Sequence, residues 1–153
     1  VSGELTTDQI GGKPFDFLAD PVVPRRSVYG MVNRDIISSL ASTFDRADPN
    51  TCTARRPETT VPQQTLFALN SEFIQDRAAA FAKSSESAGE ARERIRWMYQ
   101  RAFSRLPDTD EMALTLRYVD SESEPVGQSS SAADPWQRLA HVLLAANEFV
   151  FVD

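Results

Sequence analysis

The stretch from Ala54 to Ile74 constrains this chain most, because its backbone preference reverses within a few residues. Pro57 and Pro62 each push the preceding residue out of the helical region, and Thr59 and Thr60 favour extended backbone. At Thr60 the preference changes. Thr60 and Gln63 form a capping box in which hydroxyl and amide satisfy orphaned helix N–H groups, and the donor that Pro62 lacks is one a first turn does not use. The pattern predicts a short helix through Leu66, Phe67, Ala68 and Leu69, apolar all round and therefore buried on every side, stopped at Asn70 with Ser71 capping the next. That helix is the expected centre of an all-α fold, an irregular helix bundle with an extended N-terminal arm and long loops.

The rest of the chain reads as an arm, residues 1–24, and a single helical domain, residues 25–153. Gly3, Gly11, Gly12, Pro14, Pro21 and Pro24 break regular structure in the arm, which Phe15, Phe17 and Leu18 can pin. The four-residue step of Val28, Val32, Ile36, Leu40 and Phe44 predicts helix from Asp35 to Phe44, with Ser27 to Asn33 either helical or extended. Asp45 to Thr59 reads as an irregular loop. Ile74, Ala78, Phe81 and Ala82 mark the inner face of a further helix.

A helix over about Glu90 to Arg105 is expected to bury Ile95, Met98, Tyr99, Ala102 and Leu106. Arg94, Arg101 and Arg105 lie along one edge of that stripe, Arg92 and Arg96 along the other, and Trp97 points away from it. Asp108 and Glu111 form a second capping box, opening a helix with Met112, Leu116 and Val119 inside and Leu114 and Tyr118 outside. Residues 121–133 have the Ser-, Glu- and Gly-rich composition of a mobile loop. Asp134, Pro135 and Gln137 repeat the capping device before a last helix whose stripe is Trp136, Leu139, Ala140, Leu143, Ala146, Asn147 and Val150.

Composition narrows the function. With 153 residues, 41% of them hydrophobic, one core is expected. A net charge of −6 removes the broad attraction to phosphate that non-specific nucleic-acid binding needs, so nucleic acid is not an expected partner. No apolar run approaches the roughly 20 residues of a membrane helix, so no membrane span is expected. The chain begins at Val1 and reads as a piece of a longer protein. Its single cysteine, Cys52, can form no internal disulfide, and without a Cys-x-x-Cys-His motif this piece attaches no c-type haem itself.

Reaction chemistry is sparse, and the chain reads as non-catalytic. His141, the only histidine, falls across the last helix from its apolar stripe and reads as a solvent-facing bystander rather than a base. Asp45 and Asp48 are the strongest carboxylate couple. Arg25, Arg26, Arg55 and Arg56 are expected to pair with them in a structural polar cluster that holds the loop. The arginine edges of the Trp97 helix can meet an anionic glycan or phosphate, or simply cover the rim of the apolar stripe, and the second reading is preferred. Trp97, Leu114 and Tyr118, large and outside their helices' main stripes, form the candidate interface. No catalytic, cofactor-binding or metal-ligating residue is assigned.

A resemblance then emerges. Arg25-Arg26-Ser27-Val28-Tyr29, Phe44-Asp45 with Asp48-Pro49, Cys52, Arg55-Arg56-Pro57 and Thr59-Thr60-Val61-Pro62-Gln63-Gln64 occur in order. Leu69-Asn70-Ser71, Phe103 with Arg105 before Pro107, Ala146-Asn147-Glu148-Phe149 and Val152-Asp153 follow. In these the chain resembles the C-terminal part of the planctomycete-specific domain family, domain of unknown function 1553. The resemblance covers residues 11–153 and implies a large exported protein, periplasmic or extracytoplasmic, with a companion domain upstream. It further implies that haem c, where present, belongs to a cytochrome c domain elsewhere in the parent, often encoded beside sulfatases and other glycan-degrading enzymes. The family has no established catalytic residues to carry over. Two readings follow: a non-catalytic helical module that packs against upstream domains of the same polypeptide, or part of a polysaccharide or electron-transfer site in which Asp45, Asp48, Arg55 and Arg56 line a cleft.

Overall fold

The structure is a computed structural model that describes residues 1–16, 23–32, 44, 50, 52, 62–123 and 134–150. It is all-α. The helices among the described residues are α1 (Pro62–Asn70), α2 (Glu72–Ser85), α3 (Ala91–Phe103), α4 (Thr109–Ser123), α5 (Pro135–Ala145) and the short α6 (Asn147–Val150). Among the described residues there is no strand, only an isolated bridge between Phe15 and Gly30. None of the described helices is long and apolar enough to cross a membrane. By contacts the chain divides into two compact units, Val1–Gly3 with Phe67–Asp153 and Glu4–Leu66, so the division falls inside α1.

In the helical unit the core is built from Phe81, Ile95 and Met98, all fully buried, with Tyr99, Met112, Val119, Leu139, Leu143 and Leu144 around them. Removing the Phe81 ring from such a site costs about 3–5 kcal/mol. Among the described helices, α2 and α5 share the most extensive contact. The faces they bury include Ala78, Ala82 and Ala140, whose small side chains let two helices approach closely. The centre of the bundle is therefore this pair, and the sequence-based expectation of a central α1 is corrected. Leu66 and Leu69 on α1 are 56% and 50% exposed, and Ala68 is the residue that helix buries. A nine-residue helix offers too little length to organise four longer ones, however apolar its circumference.

Local chemistry explains the breaks. α3 stops at Phe103 because Ser104 takes a left-handed conformation, φ 59°, two residues earlier than the pattern suggested. Gly89, at φ 91°, turns the chain between α2 and α3 where an L side chain would be strained. Ala146 adopts extended backbone, so the last stripe is split: α5 ends at Ala145, and a separate α6 carries Asn147 and Val150. α4 runs to Ser123, into the expected loop; residues 124–133 lie outside the described residues. Val1–Gly3 joins this unit through Ser84, whose hydroxyl donates to the Ser2 carbonyl at 3.3 Å.

The unit Glu4–Leu66 is held differently. The Thr6 N–H donates to the Pro24 carbonyl and the Met31 N–H to that of Phe15, both at 2.7 Å, while Ser27–Tyr29 forms one 3-10 turn. Val28, Val32 and Phe44 of the predicted apolar stripe are 72%, 52% and 43% exposed. The predicted helix from Asp35 lies, apart from Phe44, outside the described residues.

Candidate functional site

The turn between α3 and α4 carries the densest polar structure in the helical unit. Its sequence dictates its shape. After the left-handed Ser104, Pro107 prevents a continued helix, and Asp108 caps the next. The capping box forms in full: the Glu111 N–H donates to Asp108 Oδ1 at 2.7 Å, and the Asp108 N–H donates to Glu111 Oε2 at 2.8 Å. The same Glu111 carboxylate takes both ends of the Arg105 guanidinium, with Nη1 at 2.8 Å and Nη2 at 2.7 Å. Arg105 also reaches Glu148 on α6, 43 residues away in sequence, through Nε at 2.7 Å and Nη2 at 2.9 Å.

One guanidinium therefore bridges two carboxylates, fork to fork, and ties the end of α3 to the start of α4 and to α6. Its carbon lies 5.7 Å from the Tyr99 ring centre and 5.6 Å from that of Phe103, which meet edge to face. The Arg105 hydrogen bond, aided by the Asp108 N–H, brings the Glu111 carboxyl down to about 2. Hydrogen bonding to Arg105 lowers Glu148 as well, and the two carboxylates together raise Arg105. Burial pushes the Tyr99 phenol up, opposed by its side-chain hydrogen bond with Thr115.

A second arginine, Arg94, closes the other end of the bundle. Its Nε and Nη2 donate to Ser85 Oγ at 3.2 and 3.1 Å, and Nη2 donates to the Ala82 carbonyl at 3.2 Å, satisfying the C-terminal end of α2. The guanidinium sits 3.8 Å from the centre of the Trp136 ring. Burial lowers the affinity of Arg94 for its proton, opposed by Glu86 and Asp134.

On the surface beside the α3–α4 turn lies a cleft of about 300 Å³. Arg92 and Arg96 supply its basic side, Leu106, Pro107 and Met112 an apolar side, and Asp108 the one carboxylate. Arg96 reaches Glu93 at 3.3 Å, with both side chains about half exposed, at 49% and 55%. Arg92 has no ion pair or hydrogen bond among the described residues, and the Asp108 carboxylate pairs with neither arginine.

The sequence candidates fall as follows. Arg25 is half-buried with its guanidinium 5.8 Å from the Phe15 ring centre and 4.9 Å from that of Tyr29, donating to the Lys13 carbonyl at 3.3 Å and to that of Gly11. It holds the arm. Arg26 is exposed, and Asp45, Asp48, Arg55 and Arg56 lie outside the described residues. Trp97 does not point away from the core: it is half-buried with its ring 5.6 Å from that of Phe81, because α3 is packed by α2, α4 and α5 and so buries a wider arc than one stripe. Tyr118 likewise packs partly against the core, leaving Leu114, 74% exposed, as the one of the three fully in solvent.

His141 is no bystander. It is half-buried with Nε2 2.8 Å from the Ala68 carbonyl oxygen, and since a carbonyl only accepts, Nε2 carries the proton and ties α5 to α1. Cys52 is exposed. Among the described residues no group of three or more His, Cys, Asp or Glu could hold a metal ion.

The sequence signature of PSD1, a protein family of unknown function (DUF1553), matches residues 1–119. The chain belongs to the PSD1 family. No curated protein and no solved structure matches it. The PSD1 match takes in Arg105, Asp108 and Glu111 and ends before Glu148, the partner that completes the bridge. Sequence reasoning had found Glu111 as a cap and Arg105 as one member of a helix edge. Their joint role was hidden because the turn that swings Arg105 off α3 begins at Ser104, a residue with no left-handed preference of its own.

Proposed function

We propose that this PSD1 chain is a non-catalytic helical module that docks against other domains of the same polypeptide, in a large exported protein that is often cytochrome-c-linked. One observation carries the reading: the polar groups at the ends of the helical unit and at His141 are engaged in its own framework while large apolar side chains stand in solvent. Arg105, Glu111 and Glu148 lock one end, Arg94 and Ser85 the other, and His141 holds α1. Meanwhile Leu106, Leu114 and Val142 are 59%, 74% and 63% exposed on a unit that otherwise packs its helices closely. Exposed aliphatic groups on a rigid frame suit a surface that a partner covers. Export and the cytochrome link rest on the family resemblance alone.

A photo-crosslinking amino acid in place of Leu114, in the whole polypeptide, tests the docking. Crosslinks to other domains of the same chain are expected on irradiation, and an absence of any crosslink overturns the reading. A second reading, a contribution to a polysaccharide site, is favoured by one feature only, the two arginines of the α3–α4 cleft. Titration calorimetry with a sulfated oligosaccharide tests it, and no heat of binding rules it out.

A further inference from the structure

Arg92 and Arg96 break two local rules together. They stand one turn apart on α3, where like charges repel, and Arg92 lies in the first turn, where the helix dipole disfavours a cation. The fold does not need them there: both are exposed, and the one partner either has is Glu93, a solvent-exposed pair worth little. In a chain of net charge −6, such a basic pair, with Arg92 unpaired and Arg96 held only by an exposed contact, calls for compensation from outside when it stands beside an apolar wall.

We propose that the cleft binds an acidic peptide segment of a partner domain, one whose carboxylates flank an apolar side chain. Arg92 and Arg96 take the carboxylates through charge-assisted hydrogen bonds. The apolar side chain lies on Leu106, Pro107 and Met112, covering part of the exposed Leu106. The lining decides between anions. An inorganic phosphate leaves the apolar side unused, and a sulfated sugar finds no aromatic ring among the lining residues on which to stack. Asp108, the one acid in the cleft, already accepts the Glu111 N–H and selects against a peptide that places a carboxylate over it. This inference rests on the docking reading and names the chemistry of one contact within it.

Fluorescence anisotropy on this chain tests it with a labelled short peptide of alternating Glu and Leu, the same peptide with Gln for Glu, and the same with Ser for Leu. The Glu–Leu peptide should bind in the micromolar range. Either replacement should weaken binding by at least about tenfold, and so should Arg92→Gln with Arg96→Gln in the protein, whereas raised salt should weaken the peptides that carry Glu and leave the Gln peptide unaffected. Methyl chemical-shift changes at Leu106 and Met112 of the wild-type chain locate the site without any variant. Failure to bind, equal binding of the Gln peptide, or shifts confined to other methyls overturns the proposal, as does binding of a sulfated oligosaccharide in its place. If the peptide fails while residue 114 still crosslinks, this inference alone falls; if the crosslink is absent, the reading beneath it falls.

Discussion

Two arginine sites meet at the same short turn with opposite charge balance. At Arg105 one guanidinium faces two carboxylates, Glu111 and Glu148, and every partner comes from within the unit. In the adjoining cleft two guanidiniums, Arg92 and Arg96, share one ion pair, between Arg96 and Glu93, and the Asp108 carboxylate in the lining pairs with neither. The first arrangement is closed and serves the fold; the second is open and leaves positive charge to be met by something else. Residues of one type, on either side of the end of α3, thus do different work according to whether the fold completes their coordination.

The largest expected effect is at the closed site. Arg105→Met removes the guanidinium while keeping a similar stem, and leaves Glu111 and Glu148 as neighbouring unneutralised acids. With Arg105 about 40% exposed, screening limits the loss to about 2 kcal/mol of unfolding free energy in urea titration. A loss below about 0.5 kcal/mol would mean the bridge holds nothing, and the contrast between the two sites would collapse.

Glu111→Gln sharpens the same point through pH. The folded-state pKa of Glu111 is lowered to about 2, from an ordinary value of 4.5, so its contribution is fully present above 4.5 and is lost as pH falls through 2. Wild-type stability should therefore drop between pH 5 and 2 more steeply than that of Glu111→Gln, with the variant about 1–1.5 kcal/mol less stable at neutral pH after allowance for exposure. Parallel pH profiles would place the stabilising charge elsewhere.

How far these sites were legible in sequence depended on the span of each interaction. The Asp108–Glu111 box closes within four residues and formed with both bonds, whereas Asp134 and Ser71, read as caps on the same logic, make no side-chain cap bond. The inner faces of α2 and α4 follow their apolar spacing, as Ala78, Phe81, Met112 and Val119 show. Trp97 and His141 were misplaced because a single-stripe view of a helix fails once it has neighbours on several sides. The Arg105–Glu148 contact was beyond any local pattern, since it depends on α6 returning to the end of α3. The cleft was half visible: the Arg92–Arg96 edge can be read from spacing, but its apolar wall comes from the turn after α3.

At the open site the expected sign reverses. Arg92→Glu places an acid in the first turn of α3 and opposite Arg96 one turn on, both favourable, so stability should rise by about 0.5 kcal/mol in the same titration. Binding of the acidic peptide should fall at the same time. Gain of stability with loss of binding is the mark of a residue kept for a partner rather than for the fold. A loss of about 1 kcal/mol instead would make Arg92 part of the framework and erase the difference between the two sites.

The smallest effect belongs to Glu93, the acid that pairs with an arginine of the open site. Its pair with Arg96 spans 3.3 Å between half-exposed side chains, so Glu93→Ala should cost about 0.3 kcal/mol, part of it from losing an acid near the start of α3. Releasing Arg96 from that partner should also tighten the Glu–Leu peptide, by about two- to threefold, because the carboxylate no longer competes for the same guanidinium. The same substitution in the Arg96→Gln background should leave peptide affinity unchanged, since no competition remains to relieve. An equal gain in both backgrounds would show that Glu93 acts only by general repulsion of an acidic ligand, and that the cleft's selectivity lies in Arg92 alone.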